Sequence, residues 1–223
     1  MEWGLSLDTA TIERFARLAV LLEEGNQRLN LTRVAPEDVV TLHFLDSLAV
    51  AAVLKPGPGD CLIDVGTGAG FPGLPLALAF PETEVTLLDG TGKRLAFVEQ
   101  VIATLGISNA RTLHGRAEDI GRHRDHRNKY HFAAARAVAR LPALAGWLLP
   151  LILPQGHAIA YKSREVEQEL SAARPVIRRL GGTIERIANV RLPNTEIVRK
   201  IVVMGRAPAS ATLRGEPARG RST

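Results

Sequence analysis

The sequence predicts an α/β fold: a mostly parallel sheet, ended by an antiparallel hairpin and preceded by helices. Three observations point there. Short apolar runs alternate with helical stretches between residues 61 and 181. The last two strand candidates lie only four residues apart, and a glycine-rich segment joins the first strand to the next helix.

Residues 8–29 read as an amphipathic helix, with Ile12, Phe15, Leu18, Ala19 and Leu22 at three- and four-residue spacing. Asp8 or Thr9 can cap its start. A second helix is expected over 36–54, with Pro36 in its first turn. Lys55-Pro-Gly-Pro-Gly-Asp60 then breaks the chain. The expected organisation is therefore a helical extension (1–54) and a main domain (55–205). In that domain Cys61–Val65, Glu84–Asp89, Ala110–Leu113, His131–Arg136 and His157–Lys162 read as strands. Helices are expected over 73–80, 91–105, 139–153 and 164–181. Such alternation makes a parallel sheet covered on both faces. Thr183–Arg191 and Glu196–Met204 have no helix between them and can pair closely only as an antiparallel hairpin. Residues 206–223, rich in Pro, Ala, Gly and Arg, read as a disordered basic tail. A Rossmann-like sheet ending in a β-hairpin is the architecture of class I methyltransferases.

A chain of 223 residues suits one such domain with a small extension. No run approaches the 18 apolar residues of a membrane span. The N-terminus lacks the basic-then-apolar pattern of a secretory signal, and the single cysteine, Cys61, has no partner for an internal disulfide. These features point to a soluble cytoplasmic protein. The net charge is +5, but Arg206, Arg214, Arg219 and Arg221, opposed only by Glu216, place most of it in the tail. The basic balance weakly favours an anionic partner such as nucleic acid.

The segment Asp64-Val-Gly-Thr-Gly-Ala-Gly-Phe-Pro-Gly73 carries the chemistry. Gly66, Gly68 and Gly70 let the chain turn tightly and let backbone N–H groups approach a ligand. A dinucleotide loop needs glycine at 71, where Phe71 stands, so a nicotinamide-dependent oxidoreductase is disfavoured. Asp64 would repel a pyrophosphate but favours the ammonium and sulfonium of S-adenosyl-L-methionine. Asp89 ends the next strand, where its carboxylate can accept hydrogen bonds from both ribose hydroxyls. Ala117 and Glu118 follow the third strand, beside the expected adenine. Glu118 alone would read as an ordinary acid at a helix N-terminus.

Acceptor chemistry in this fold sits after the fourth strand, here Phe132-Ala-Ala-Ala-Arg136-Ala-Val-Ala139. The Asn/Asp-Pro-Pro-aromatic stretch of exocyclic-amine enzymes is absent, and no cysteine follows the loop to attack cytosine. An acceptor that needs no covalent activation remains, and guanine N7 is one. Alignment would then supply much of the catalysis, with no side chain assigned to the chemistry itself. Arg136 suits a cofactor group, a phosphate or a guanine edge, or else a structural ion pair.

Several motifs now match one family in order: Asn30-Leu-Thr32, His43-Phe-Leu-Asp46-Ser47-Leu48, the loop ending in Phe71-Pro-Gly73, Leu88-Asp89, Gly92-Lys93-Arg94, Ala117-Glu118, Arg136-Ala137 and Lys162. The sequence resembles the ribosomal small-subunit RNA guanine-N7 methyltransferases, also called glucose-inhibited division protein B. The resemblance implies methyl transfer from S-adenosyl-L-methionine to N7 of one guanine in a conserved hairpin loop of 16S rRNA. It places cofactor contacts on Gly66, Phe71, Ala117, Glu118 and Arg136, and packs His43, Asp46 and Ser47 near the cofactor mouth. For His43 a core position is an equal alternative. Gly25, Ala135 and Ser163 depart from the family pattern. Lys93, Arg94, Arg136 and Lys162, at or just beyond strand ends, are the RNA-facing candidates. The basic run Arg122–His131 is either a second contact or a solvated loop. Its histidines lack companions at ligand spacing, so no metal is expected. The partner is 16S rRNA or the small ribosomal subunit, and the chain is expected to act as a monomer. A methyltransferase for a small molecule or protein is the alternative.

Overall fold

The computed structural model describes residues 2–162 and 166–206. Strands β1 (Cys61–Val65), β2 (Glu84–Asp89), β3 (Ala110–His114), β4 (Tyr130–Arg136), β5 (Ile152–Lys162), β6 (Gly182–Arg191) and β7 (Val198–Arg206) form one sheet. Its order is β3-β2-β1-β4-β5-β7-β6. The first five strands are parallel, and β7 lies antiparallel between β5 and β6. The hairpin read from the sequence therefore closes the sheet. Strand order reverses between β1 and β4, and a crevice is expected at their C-terminal ends.

Successive residues of β1 serve opposite layers, as the two-residue period of a strand requires. Leu62 packs into the core shared with the N-terminal helix, and Ile63 into the core on the other face. The helices are α1 (Thr9–Leu29), α2 (Asp46–Leu48), α3 (Gly73–Ala79), α4 (Gly92–Leu105), α5 (Ala117–Ile120), α6 (Leu141–Leu148) and α7 (Val166–Arg179). Helix α5 is a single turn.

Helix α1 begins where the Asp8 carboxylate accepts a hydrogen bond from Thr11 N at 2.7 Å. It ends at Asn30, in the left-handed region at φ 49°. Its buried face is Phe15, Leu18, Leu21, Leu22 and Gly25. Ile12, expected on that face, is 51% exposed. A Cβ at Gly25 would stand 2.5 Å from Cε2 of Phe97 on α4. The glycine thus fits the close approach of α1 to α4, which gives its departure from the family pattern a packing reason.

The expected helix over 36–54 is a correction. The chain forms a 3-10 turn (Pro36–Asp38), a π-helical stretch (Val40–Leu45), α2, and a second 3-10 turn (Ala49–Ala52). The Leu42 and His43 carbonyls accept from Arg136 Nη1 at 3.0 and 3.5 Å, and the Ser47 hydroxyl donates to His43 O at 2.5 Å. Partners outside the regular ladder suit the wider π geometry. The helix expected over 139–153 is also too long, because α6 ends at Leu148 and β5 starts at Ile152. A continuous apolar run does not tell buried helix from buried strand. Ser163 lies outside the described residues, and so does the expected tail from 207 onward. Arg206, assigned to that tail, instead ends β7 and donates to Ile152 O at 3.3 Å.

Gly25→Leu is expected to lower unfolding stability by about 1–3 kcal/mol through overpacking against Phe97, measured as a fall in the urea midpoint at unchanged m-value.

Candidate functional site

The glycine-rich loop leaves β1 with Gly66, Gly68 and Gly70 at φ +75°, +60° and +98°, a region that side chains rarely adopt. Gly66 N and Thr67 N both donate to Leu88 O, at 2.8 and 2.9 Å, tying the end of β1 to the end of β2. Asp64 is wholly buried. Its Oδ2 accepts from the Thr67 hydroxyl at 2.6 Å and from Gly73 N at 2.8 Å. Burial pushes its carboxyl up to about 6, against the lowering effect of those two hydrogen bonds. Asp64 therefore braces the loop from beneath and is not part of the cavity lining. Asp89 accepts from Gly68 N at 2.9 Å and Thr91 N at 2.8 Å, so it fixes the loop from β2. A carboxylate has about four acceptor positions, so capacity for a ligand remains.

A cavity of about 460 Å³ opens over these strand ends. It is lined by Gly66, Gly68, Phe71, Asp89, Ala117, Glu118 and Arg136, all of which the sequence singled out. A Cβ at Gly68 would meet no atom within 4 Å, so this glycine leaves open a cradle that a ligand can fill. Gly70 is outside the lining, and a Cβ there would strike Leu74 at 2.2 Å. Glycine at 70 is thus required by the packing of Leu74.

Arg136, at the end of β4, is bound on several sides. Nη1 also donates to Asp46 Oδ2 at 3.1 Å, and Nη2 donates to His43 Nδ1 at 3.2 Å. A guanidinium only donates, so His43 Nδ1 accepts. The neutral ring then carries its proton on Nε2, which donates to the Thr32 hydroxyl 2.8 Å away. The His43 ring stacks on Phe71 with centroids 4.4 Å apart and an interplanar angle of 8°. Burial and then the Arg136 charge hold the His43 pKa down to about 4. Asp46 also accepts from Arg199 Nε, on β7, at 2.9 Å. Arg199 escaped the sequence reading. A basic residue near a hairpin is common, and its partner lies 153 residues away.

A second cavity, about 470 Å³, adjoins the first. The two share His43, Arg136 and Ala137 as lining, and the second adds Asp46, Tyr161, Lys162 and Arg199. The Tyr161 hydroxyl is committed to Ser47 O at 2.7 Å. Lys93 is exposed and lines neither cavity, whereas Arg94 lines the first. Lys162 lines the second but is paired to Glu169 at 2.8 Å. The run Arg122–His131 also lies outside both linings. Among the described residues, no group of three or more His, Cys, Asp or Glu is arranged to hold a metal. No helix among them is long and apolar enough to cross a membrane.

Sheet order, bent glycine loop and a deep cavity at the strand ends define a class I methyltransferase fold. The solved structure of a SAM-dependent methyltransferase from Aquifex aeolicus has the same fold, with a TM-score of 0.55 at 16% identity, covering 75% of this chain and 92% of that one. A family profile described as rRNA small subunit methyltransferase G matches residues 11–198. A ribosomal RNA small subunit methyltransferase G from Thermoanaerobacter sp. (strain X514) is 43% identical over 204 residues, 91% of this chain and 85% of the relative. One from Roseiflexus castenholzii is 41% identical over 210 residues, 94% and 89% of the two chains. The chain belongs to the rRNA small subunit methyltransferase G family.

By NMR, His43 is expected to titrate with a midpoint near 4 instead of the ordinary 6.5. Arg136→Met is expected to raise that midpoint, because removing a neighbouring positive charge favours the imidazolium.

Proposed function

We propose that this chain transfers the methyl group of S-adenosyl-L-methionine to N7 of one guanine in a hairpin loop of 16S rRNA. The observation that carries the reading is the pair of adjoining cavities with the common wall His43, Arg136 and Ala137. The cofactor occupies the first and the target base enters the second, so donor and acceptor meet at that wall. Family membership supports an rRNA acceptor.

When bound, S-adenosyl-L-methionine supplies an electrophilic methyl on a sulfonium. The protein's part is to hold and align. Backbone around Gly66 and Gly68 accommodates the cofactor, Asp89 takes the ribose hydroxyls, and Ala117 with Glu118 reads the adenine edge. Phe71 is fixed beneath His43 and closes one side. Arg136, with its Cζ 5.5 Å from the Phe71 ring centroid, is held where it faces both cavities. Guanine N7 attacks with a lone pair already available, and no proton has to leave first. A general base is therefore unnecessary, consistent with a His43 whose pKa is lowered to about 4 and whose ring is locked in hydrogen bonds. Lys93 and Arg94, at the start of α4, supply charge for the RNA backbone outside the base cavity. On this reading the protein works in the cytoplasm as a monomer and needs no metal.

The test is incubation of the protein and S-adenosyl-L-methionine with small subunits and 16S rRNA lacking the modification, followed by mass-spectrometric mapping. One 7-methylguanosine in a hairpin loop is expected, with RNA affinity falling steeply as salt rises. Salt-insensitive methylation of a small molecule or protein, with no label on RNA, would replace this reading by the alternative. Gly66→Val places bulk at φ +75° and against Val138, whose Cγ2 lies 2.8 Å from where the new Cβ would stand. It is expected to weaken S-adenosyl-L-methionine binding by about a hundredfold or more in calorimetry, on the order of 3 kcal/mol, while circular dichroism is retained.

A further inference from the structure

Lys162 ends β5 and lines the second cavity, the position of an RNA-binding cation. Its contacts point elsewhere. Nζ lies 2.8 Å from Glu169 Oε2 on α7 and donates to Ala139 O at 3.3 Å. The two side chains are only 11% and 17% exposed, so water screens the pair little. The same Glu169 oxygen accepts from Leu141 N, the first amide of α6. Arg140, at the N-cap of α6, makes no side-chain cap. Glu169 therefore caps α6 from another helix, satisfying one of the donors a helix start leaves open. Burial works to raise the Glu169 carboxyl, but the Lys162 ammonium and the Leu141 amide outweigh it and hold it below its usual value.

The segment gripped in this way is the wall between the cavities. Ala137, which lines both, has φ +57°, a left-handed conformation that L side chains rarely adopt. Val138 follows and lies against Gly66 of the cofactor loop. Strained backbone of this kind persists only where its surroundings fix it from both sides. Upstream, Arg136 is anchored to Asp46 and His43. Downstream, Lys162 holds the Ala139 carbonyl and Glu169 holds the Leu141 amide.

We infer that Lys162 and Glu169 are a positioning pair for methyl transfer, clamping residues 137–141 between donor and acceptor, and that Lys162 contributes no phosphate contact. The inference rests on the proposed placement of the base in the second cavity. Its sign separates it from the RNA-cation alternative. Removing the Glu169 charge would free Lys162 for RNA under that alternative, but loosens the wall if the pair is a clamp.

The experiment compares wild type with Lys162→Met, Lys162→Arg, Glu169→Gln and the Met/Gln double variant. It reads single-turnover methylation of unmodified small subunits, the salt dependence of RNA binding, and exchange of the Leu141 amide. Both Lys162→Met and Glu169→Gln are expected to slow turnover by about ten- to a hundredfold, the cost of a misplacement near 1 Å. The double variant should be no slower than the worse single one, and Lys162→Arg should recover much of the rate. The salt slope should stay at its wild-type value, and Leu141 exchange should accelerate in Glu169→Gln. The inference is overturned if Glu169→Gln keeps full turnover or binds RNA more tightly, or if Lys162→Met flattens the slope by about 0.7–0.9, the contribution of one phosphate contact. It is equally overturned if Leu141 exchange is unchanged in Glu169→Gln. A wild type that labels no RNA would defeat the proposed function, while amide exchange would still decide the clamp.

Discussion

The buried carboxylate of Asp46 binds two guanidiniums, Arg136 from β4 and Arg199 from β7, at 3.1 and 2.9 Å. Much of the site geometry depends on this junction. A carboxylate this far from water is tolerable only with charged partners, and removing one member of such a set strands the others. The three residues come from the chain before the sheet, its centre and its terminal hairpin. The N-terminal helical segment is thereby tied electrostatically, as well as by apolar packing, to the C-terminal edge of the parallel strands. Arg136 also takes the Leu42 carbonyl, and the local helix widens to π geometry around that contact.

From this junction the order of the site follows outward. Fixing Arg136 fixes the acceptor role of His43 Nδ1, and so the proton on Nε2 and its partner Thr32. A ring held at both nitrogens can lie flat on Phe71, which extends the order into the cofactor loop. On the other side the same loop is braced by Asp64 and Asp89, two carboxylates that spend hydrogen bonds on backbone amides and a hydroxyl. Rigid walls on both sides suit a reaction in which orientation supplies most of the rate enhancement.

Much of this was legible in the sequence because it is local. Strands β1 and β2 are short apolar runs bounded by turn residues, and their limits match the expectation residue for residue. The cavity lining through Gly66, Gly68, Asp89, Ala117 and Glu118 follows from strand–loop order, while Phe71 is placed there by the family resemblance. What escaped depends on contacts distant along the chain. The break-up of the 36–54 helix answers to Arg136, some 90 residues on, and no periodicity encodes it. Ile12 was misassigned because a 3.6-residue pattern fixes an apolar stripe only to within a residue or so. Lys162 read as a free cation because its partner Glu169 belongs to a separate helix. The charge of Asp64 is visible in the sequence, but its burial beneath the loop is not.

On the proposed function, donor and acceptor occupy adjoining cavities on either side of the wall made by His43, Arg136 and Ala137. A crystal structure with S-adenosyl-L-homocysteine and an RNA hairpin bearing the target guanine tests it most directly. The expected complex has the adenosyl ribose on Asp89, the sulfur close to Ala137, and the guanine in the second cavity with N7 facing that sulfur. A guanine bound outside the second cavity, or a cofactor product that leaves Asp89 and the Gly66–Gly68 cradle untouched, would contradict it.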